Sequence, residues 1–428
     1  MNDVIRYDLF CQFRKTIRGS TEHLLVGIDI AKDKHHAFFG TATGKTLWRR
    51  LLFNNDLFGY QRLIEQVDLL MKQHQLKKTA FGIEPTGNYH KPLAHWLITK
   101  GHMVVLVSGK AVSDNRQLLD GRWDKNDSKD SANVADLISQ GKCQFYEQPD
   151  KQIVAVRNLL SVRKRLKKQE HSLRMQMRNG LLAKYFPEMD KYWRQNIEEN
   201  LAILRGYLDP RKIAATDFEQ FVLDVTSTSR GGRQLRRLQS IYDAAKHSVG
   251  LPVDSAATFE AKLLVERFNS IREQIALTMK QISERCSNLY GYKLLQTIPG
   301  FGPYIGALVL AAIGNPHRFS SHGQVLRLSG LDLNAKRSGK TSDAGVPKIS
   351  KKGDADLRYG LYQAALIASY HNKHFARLYS RMLENRHAER GIKTKARVKL
   401  AAKMLTVAWA MLKNNEPFNP NALISRVR

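Results

Sequence analysis

Hydrophobic and polar positions divide the chain into a first part with strand signals and a later part without them. Short apolar runs between turn residues predict strands, and apolar positions three or four apart predict helices. From His23 onward the pattern predicts three strands, a helix at about residues 58–75, a fourth strand in KKTAFGIEPTG, a helix at 89–100, a fifth strand in HMVVLVSG and a helix that ends at Gly141.

The order of these elements is βββαβαβα, which predicts an α/β layer fold with a partly parallel sheet. The same order of elements occurs in the ribonuclease H fold, which includes the RuvC-like domains. We assign this first domain to residues 20–150.

Residues 151–290 carry two long helical patterns and predict a helical, coiled-coil region. The stretch at about 187–254 between them is an insertion that predicts only short helices and loops. The first long helix has a strongly basic surface with few acids to balance it. A solvated helix face is the alternative, but the pattern favours contacts with phosphate. The basic positions are Arg163, Lys164, Arg165, Lys167 and Lys168.

Residues 291–415 predict a mainly helical C-terminal domain. It opens with TIPGFGPYIGALVLAAIG, in which Gly300 and Gly302 separate two apolar helical pieces. This resembles a helix-hairpin-helix motif, where glycines let backbone N–H groups approach a phosphate. A tight helix turn without any ligand is the alternative. A helix from about Asp354 and a basic tail follow; the tail includes Arg386, Lys393, Lys395, Arg397 and Lys399.

The charge of the chain points to a polyanionic partner. The 428 residues include 69 Lys and Arg but only 39 Asp and Glu, which gives a net charge of +30. Nucleic acid is the leading partner class, ahead of an anionic membrane surface. Three cysteines and the absence of a signal-peptide pattern at the start predict a cytoplasmic protein, and no apolar stretch predicts a membrane span.

Four acidic residues occupy positions that suit a divalent metal. Asp29 lies in the apolar run VGIDIAKD, and Glu84 closes the fourth strand. Asp127 and Asp130 begin a predicted helix and share one face, although acids there are commonly capping residues. Together the four carboxylates suit Mg²⁺ or Mn²⁺ in phosphoryl chemistry. Weaker candidates are Asp33, Asp124 and Asp136.

A serine in the C-terminal part is a candidate nucleophile. Ser338 lies in AKRSGKTSD, next to a glycine and between three cations, Lys336, Arg337 and Lys340. Cations of this kind would stabilise negative charge at a phosphorus under attack. The alternative is a phosphate-binding loop in which the serine only donates a hydrogen bond. Lys351 and Lys352 follow in the same basic segment.

Several of these motifs resemble one known family. The motifs are GIDIAKDKH, GIEPTGNYH, KNDSKDSANVADL, IPGFGPYIGALVLAAIG, RSGK and ISKKGDADLR. In this order they resemble the insertion-sequence transposases with a DEDD domain and a C-terminal serine domain, the bridge-RNA-guided recombinases, whose relatives include pilin-gene invertases. The family's acidic positions match Asp29, Glu84, Asp127 and Asp130, and its serine matches Ser338. The text around the serine departs from that of many relatives, so Ser342 and Ser350 are fallback positions.

The resemblance implies a site-specific DNA recombinase that moves its own element through a phosphoserine intermediate. It also implies a metal at the acidic residues, double-stranded DNA at element ends and target, a guide RNA, and a homo-oligomer, dimer or tetramer, in which the two sites meet across protomers. One alternative is a metal-dependent junction nuclease that uses water. Another is a nucleic-acid-binding protein without enzymatic activity. Whether the recombinase is a transposase or an invertase stays open at this point.

Overall fold

A computed structural model describes residues 3–120, 127–226, 231–334 and 348–423. The chain forms two compact units. Unit 1 comprises Met1–Asp150 with Asn315–Ser320, and unit 2 comprises Lys151–Gly314 with Ser321–Arg428. The separation of the middle region from the C-terminal domain stays a prediction. Ser338, Lys336, Arg337, Lys340, Ser342 and Asp124 lie outside the described residues.

Unit 1 is built on one mixed sheet. Strand β2 is antiparallel to β1 and β3, whereas β4 is parallel to β1 and β5 is parallel to β4. The spatial order is β3-β2-β1-β4-β5-β6. This confirms the predicted α/β domain. The strands are β1 His23–Asp29, β2 Lys34–Thr41, β3 Thr46–Asn54, β4 Lys78–Ile83, β5 Met103–Leu106 and β6 Gln144–Phe145.

Helices cover both faces of this sheet. One face packs against α2 and α3 through residues such as Val26 and Leu63, and the other packs against α1 and α5 through residues such as Leu25 and Ile138. Central strands buried on both sides read as continuous apolar runs, which is why β1 and β4 were visible in the sequence. The helices are α1 Asp3–Thr16, α2 Leu57–Gln73, α3 His90–Thr99, α4 Gly109–Asp120 and α5 Asp127–Ser139.

Three elements of unit 1 are absent from the predicted order: α1, α4 and β6. Helix α4 forms between the fifth strand and the helix that ends at Gly141, where the sequence pattern predicts no element. It buries Val112 beside the polar Asn115, so its apolar periodicity is too weak to detect. Strand β6 has only two residues and pairs with β5.

Unit 2 is almost entirely helical, as predicted. It also contains a π-helix at Gln176–Leu182, a 3-10 helix at Pro187–Tyr192 and a two-stranded ladder. The ladder pairs β7 Leu333–Asn334 with β8 Lys348–Ile349. The helices are α6 Lys151–Met175, α7 Ala183–Tyr185, α8 Ile197–Tyr207, α9 Pro210–Ala215, α10 Phe218–Val225, α11 Gly232–Lys246, α12 Ser255–Ser287, α13 Tyr290–Gln296, α14 Pro303–Ile313, α15 His322–Ser329, α16 Ala355–His371, α17 Lys373–Leu383 and α18 Ile392–Asn414.

The insertion at 187–254 folds around a core that it shares with α6 and α12. Short helices pack with the end of α6 and the start of α12, through buried residues such as Phe221, Ile241 and Phe268. Its two ends meet, because the backbone N–H of Leu251 donates to the carbonyl oxygen of Lys184 at 3.0 Å. The insertion holds ten Lys and Arg and ten Asp and Glu, so the net charge of the chain lies outside it.

Across the described ranges, no helix is both long enough and apolar enough to cross a membrane.

Candidate functional site

Two of the predicted acidic residues lie at neighbouring strand ends. Asp29 is the last residue of β1, Glu84 directly follows β4, and both are half-buried. Ile28 pairs with Ile83 in the parallel register, and the N–H of Glu84 donates to the carbonyl oxygen of Ile28 at 3.5 Å. Asp29 and Glu84 therefore hold adjacent positions at one edge of the sheet, where sites assemble in open α/β folds.

Helix α5 crosses directly over these two strands at a pair of glycines. A Cβ at Gly27 would lie 2.0 Å from the carbonyl oxygen of Ser131, and a Cβ at Gly82 would lie 2.0 Å from a side-chain carbon of Ile138. No larger residue fits at either position unless the helix moves. The two glycines thus bring the helix into contact with the sheet.

This contact places a third acid on the same face as the first two. Side chains alternate along a strand, so Asp29 shares a face with Gly27, and Glu84 shares that face with Gly82. Asp130 lies in α5 next to the residue that contacts Gly27. Asp29, Glu84 and Asp130 therefore lie on one face, which we term the acidic face.

Asp130 is buried and already has a cationic partner. Its exposed fraction is 1 %. The Nε atom of Arg116 in α4 donates to Oδ1 of Asp130 at 2.9 Å, and Nη2 donates to the same oxygen. A buried carboxylate needs such a partner, because isolated burial of its charge is costly. Spacing alone did not reveal Arg116, because it lies in the helix that the apolar pattern missed.

The weaker acidic candidates have other surroundings. Asp136 accepts a hydrogen bond from Asn115 at 2.9 Å, which links α4 to α5, and another at 2.8 Å from Gln140 just after α5. Asp33 is exposed in the turn after β1. Asp136 therefore has a structural role in joining the two helices.

The acidic face has the right donor chemistry for Mg²⁺ or Mn²⁺, since both prefer carboxylate oxygens. Asp127 is the first residue of α5, and its side chain is outside the described part. Among the side chains that are described, no three from His, Cys, Asp and Glu are arranged to hold an ion. Both hydrogen bonds from Arg116 end on Oδ1 of Asp130, so an ion bound at Asp130 would share this carboxylate with Arg116.

His35 stabilises the turn that follows Asp29. The ring is fully buried, and its Nδ1 accepts a hydrogen bond from the backbone N–H of Ala31 at 3.3 Å. Burial is the main cause that lowers the pKa of His35, which favours the neutral ring.

The segment that carries Ser338 begins and ends in the β7–β8 ladder. Leu333 pairs with Ile349, and directly beyond β8 the hydroxyl of Ser350 donates to Oδ1 of Asp332 at 2.5 Å. The backbone N–H of Ser350 also donates to the carbonyl oxygen of Asp332, at 2.8 Å. Ser350, a fallback candidate, is thus hydrogen-bonded at the end of this ladder. Lys351 and Lys352 follow it and are exposed.

The basic residues of α6 fall into two groups. Arg163 stacks on the ring of Tyr304, with 3.7 Å from its Cζ to the ring centroid, and Lys164 forms an ion pair with Asp356 at 2.5 Å. These contacts tie α6 to α14 and α16. Lys167 pairs with Glu170, whereas Arg165 and Lys168 are exposed. The exposed pair is the better placed for contacts with phosphate.

The two glycines of the hairpin also differ. Gly300 has a φ of +89°, and a Cβ there would lie 2.5 Å from the carbonyl oxygen of Ala364 in α16. The close approach at Gly300 is therefore made to the protein's own helix. Gly302 precedes α14 and has no atom within 4 Å of a Cβ position.

Part of the basic tail is held by internal contacts. Arg386 and Lys395 both pair with Glu389, and Arg397 donates to the hydroxyl of Tyr370 at 2.7 Å. Lys393 and Lys399 are exposed.

Comparison with known families decides what kind of protein carries this face. Residues 26–187 match the model of a transposase family with a DEDD domain. Residues 292–380 match a second model, described as the transposase IS116/IS110/IS902 family. Together the two matches cover more than half of the chain. This chain carries transposase domains of the IS110/IS116 family.

Relatives that align over nearly the whole transposase agree with this assignment. An uncharacterized 44.8 kDa protein of insertion element IS116 from Streptomyces clavuligerus is 23% identical over 411 residues, which is 94% of this chain and 98% of that protein. The transposase for insertion sequence element IS1111A from Coxiella burnetii is 24% identical over 421 residues, 98% of each chain. A pilin gene-inverting protein from Moraxella bovis is 23% identical over 398 residues, 92% of this chain and 97% of that protein.

The transposase is therefore an enzyme of DNA recombination, and the alternative of a binding protein without activity is wrong. The first matched region contains all four predicted acids, and the second contains the hairpin, the Ser338 segment and α16. Most of the insertion lies between the two matches.

Proposed function

We propose that this transposase cuts and rejoins the DNA of an insertion sequence through a covalent bond to Ser338, and that Asp29, Glu84, Asp127 and Asp130 bind Mg²⁺ or Mn²⁺. The observation that carries the proposal is the acidic face. Carboxylates from two adjacent parallel strand ends and from the helix above them share one side of the sheet.

We further propose that unit 1 is a ribonuclease H-like domain. The supporting features are an antiparallel β1-β2-β3 meander, β4 parallel to β1, and acids at the ends of β1 and β4. A bound divalent ion would stabilise charge on attacking and leaving oxygens. Asp29, Glu84 and Asp130 would orient it, held in place by the strand register and by the close packing of α5.

The serine step is a transesterification. The Oγ–P bond forms while the bond from phosphorus to the leaving sugar oxygen breaks, and the hydroxyl proton is balanced by protonation of that oxygen. The total number of phosphoester bonds is conserved, so the reverse step can rejoin strands without another energy source. Lys336, Arg337 and Lys340 next to Ser338 would stabilise the charge on the non-bridging oxygens.

A guide RNA and a multimer are part of the same proposal. The net charge of +30 suits a complex with both RNA and DNA. Exposed cations in unit 2 would contact phosphates and fix position more than sequence. We assign this contact to Arg165, Lys168, Lys351 and Lys352, with the hairpin at Gly302 as a further contact.

A denaturing-gel assay for protein–DNA adducts tests the proposal. Purified transposase, its co-purified RNA, Mg²⁺ and DNA with the ends of its element would be compared with Ser338→Ala, Ser350→Ala and Asp29→Asn. We expect an adduct with wild type and with Ser350→Ala, none with Ser338→Ala, and no cleavage with Asp29→Asn. Cleavage without an adduct in any of these proteins would instead establish the junction nuclease that uses water.

A further inference from the structure

Three basic side chains flank the acidic face on the side of β2 and β3. In the antiparallel register of β1 and β2, His36 lies directly opposite Asp29. Residues opposite each other on paired strands share a face, so the imidazole of His36 lies on the same side of the sheet as the Asp29 carboxylate.

The other two basic residues lie next to His36. Lys34 lies two residues before His36 on β2, and strand positions two apart share a face. On β3, Leu52 pairs with His36, but the register shifts between Leu51 and Trp48. Arg50 is placed on this side of the sheet by its hydrogen bond to His36. Lys34, His36 and Arg50 therefore form a continuous strip, which we term the basic margin.

Arg50 has a hydrogen-bond partner of a different kind from those of Arg116 and Arg318. Its Nη2 donates to Nε2 of His36 at 3.2 Å, and within the described ranges no carboxylate pairs with it. By contrast, Arg116 pairs with Asp130, and Arg318 pairs with Glu147. The guanidinium of Arg50 is exposed, so its other N–H donors are open to solvent.

The backbone around Arg50 holds this arrangement at the edge of the sheet. Strand β3 is the outermost strand on this side, and Nε1 of Trp48 donates to the carbonyl oxygen of Arg50 at 3.0 Å. Lys34 is also exposed at the start of β2. A guanidinium directed at an imidazole, with an exposed ammonium nearby, makes a site for an anion with several oxygens.

We propose that Lys34, His36 and Arg50 bind the phosphodiester backbone of the nucleic-acid strand whose scissile phosphate lies at the acidic face. This rests on the proposed role of Asp29 and Glu84 in DNA cleavage. The basic margin binds the phosphates beside the cleaved one, and it offsets the repulsion between the DNA and the carboxylates. Lys34, His36 and Arg50 therefore position the nucleic-acid strand.

The first test measures binding without cleavage. Fluorescence anisotropy with element-end duplex DNA in EDTA, at several salt concentrations, would compare wild type, Arg50→Ala and the double variant Lys34→Ala with Arg50→Ala. Each lost phosphate contact lowers the slope of log affinity against log salt by about 0.9. We expect a loss of about one unit for Arg50→Ala and about two for the double variant. Arg62→Ala is the matched control, because Arg62 is an exposed arginine on α2, across the sheet.

The second test separates this inference from the proposed function. Metal-dependent cleavage would be measured for Arg50→Ala, Arg62→Ala and Asp29→Asn. We expect Arg50→Ala to raise KM about tenfold while Arg62→Ala behaves as wild type. Equal salt slopes and equal cleavage for Arg50→Ala and Arg62→Ala would overturn the basic margin. Undiminished cleavage by Asp29→Asn would overturn the acidic site, while the slopes in EDTA would still decide whether Arg50 contacts phosphate.

Discussion

Arg116 and Asp130 join α4 to α5 at the acidic face, with Nε of the arginine 2.9 Å from Oδ1 of the carboxylate. The side chain of Asp130 is 2 % exposed and that of Arg116 is 18 % exposed. A cation therefore compensates this carboxylate in the protein without a metal. If Asp130 binds a divalent ion, the ion and Arg116 are two cations that compete to compensate the single charge of this carboxylate.

This competition predicts a metal-dependent stability in Arg116→Gln. Removal of one partner of a buried ion pair costs about 3 kcal/mol, because the other charge stays buried. We expect that loss in EDTA and its partial recovery in Mn²⁺, measured by chemical denaturation. Arg318→Gln is the control, since Arg318 pairs with Glu147 at side-chain exposures of 18% and 13%. Equal responses of both variants to Mn²⁺ would contradict the competition.

The contact between α5 and the sheet predicts that Gly27→Ala is harmful. The new Cβ would overlap the carbonyl oxygen of Ser131 and lie 2.6 Å from the backbone nitrogen of Ala135, so the helix must shift. We expect a loss of about 1–3 kcal/mol in the free energy of unfolding, together with loss of cleavage. Gly206→Ala in α8 has open space around it and should be neutral or stabilising by up to about 1 kcal/mol. A neutral Gly27→Ala would show that α5 does not pack as described.

The two groups of α6 cations predict opposite phenotypes. Arg163→Ala removes the stacking on Tyr304 and should cost about 1 kcal/mol of stability with little change in the salt dependence of DNA binding. Arg165→Ala should leave stability within about 0.5 kcal/mol and lower the salt slope by about 0.9. Thermal denaturation and anisotropy titrations measure both quantities. If Arg163→Ala instead lowered the salt slope and left stability unchanged, Arg163 would contact DNA.

Thiol labelling tests the burial of one cysteine in each unit, Cys143 in unit 1 and Cys286 in unit 2. Burial raises the pKa of Cys143 and of Cys286 to about 11, so both remain protonated at pH 8. The thiolate is the reactive form, and Cys11 is the more accessible thiol. We expect Cys11 to react with iodoacetamide in the native protein, while the other two react only after unfolding. Because the folded state retains these protons, both thiols lower stability as the pH rises from about 9 to about 11. Rapid labelling of Cys143 or Cys286 at pH 8 in the folded protein would contradict their burial.

The sequence pattern located Asp29 and Glu84 because central strands read as apolar runs, in which an acid is conspicuous. It placed Asp29 inside such a run, whereas the structure ends β1 at Asp29. It did not reveal Arg116, whose helix has one weak apolar stripe and whose partner lies fourteen residues away. At Gly300 the sequence predicts a close approach to phosphate; the structure shows a close approach to the carbonyl oxygen of Ala364, and the phosphate contact stays a prediction. A glycine shows that space is needed, whereas only the fold shows that α16 fills it.

The insertion has a consequence for how this lineage can change. Because Lys184 and Leu251 are hydrogen-bonded where the segment leaves and rejoins the chain, its length sets no distance elsewhere in the protein. A segment with no net charge can be shortened, lengthened or exchanged with little effect on the field that attracts nucleic acid, provided that the core it shares with α6 and α12 is kept. Evolution, or a protein engineer adding a fused module, can therefore alter this position while the catalytic parts retain their geometry.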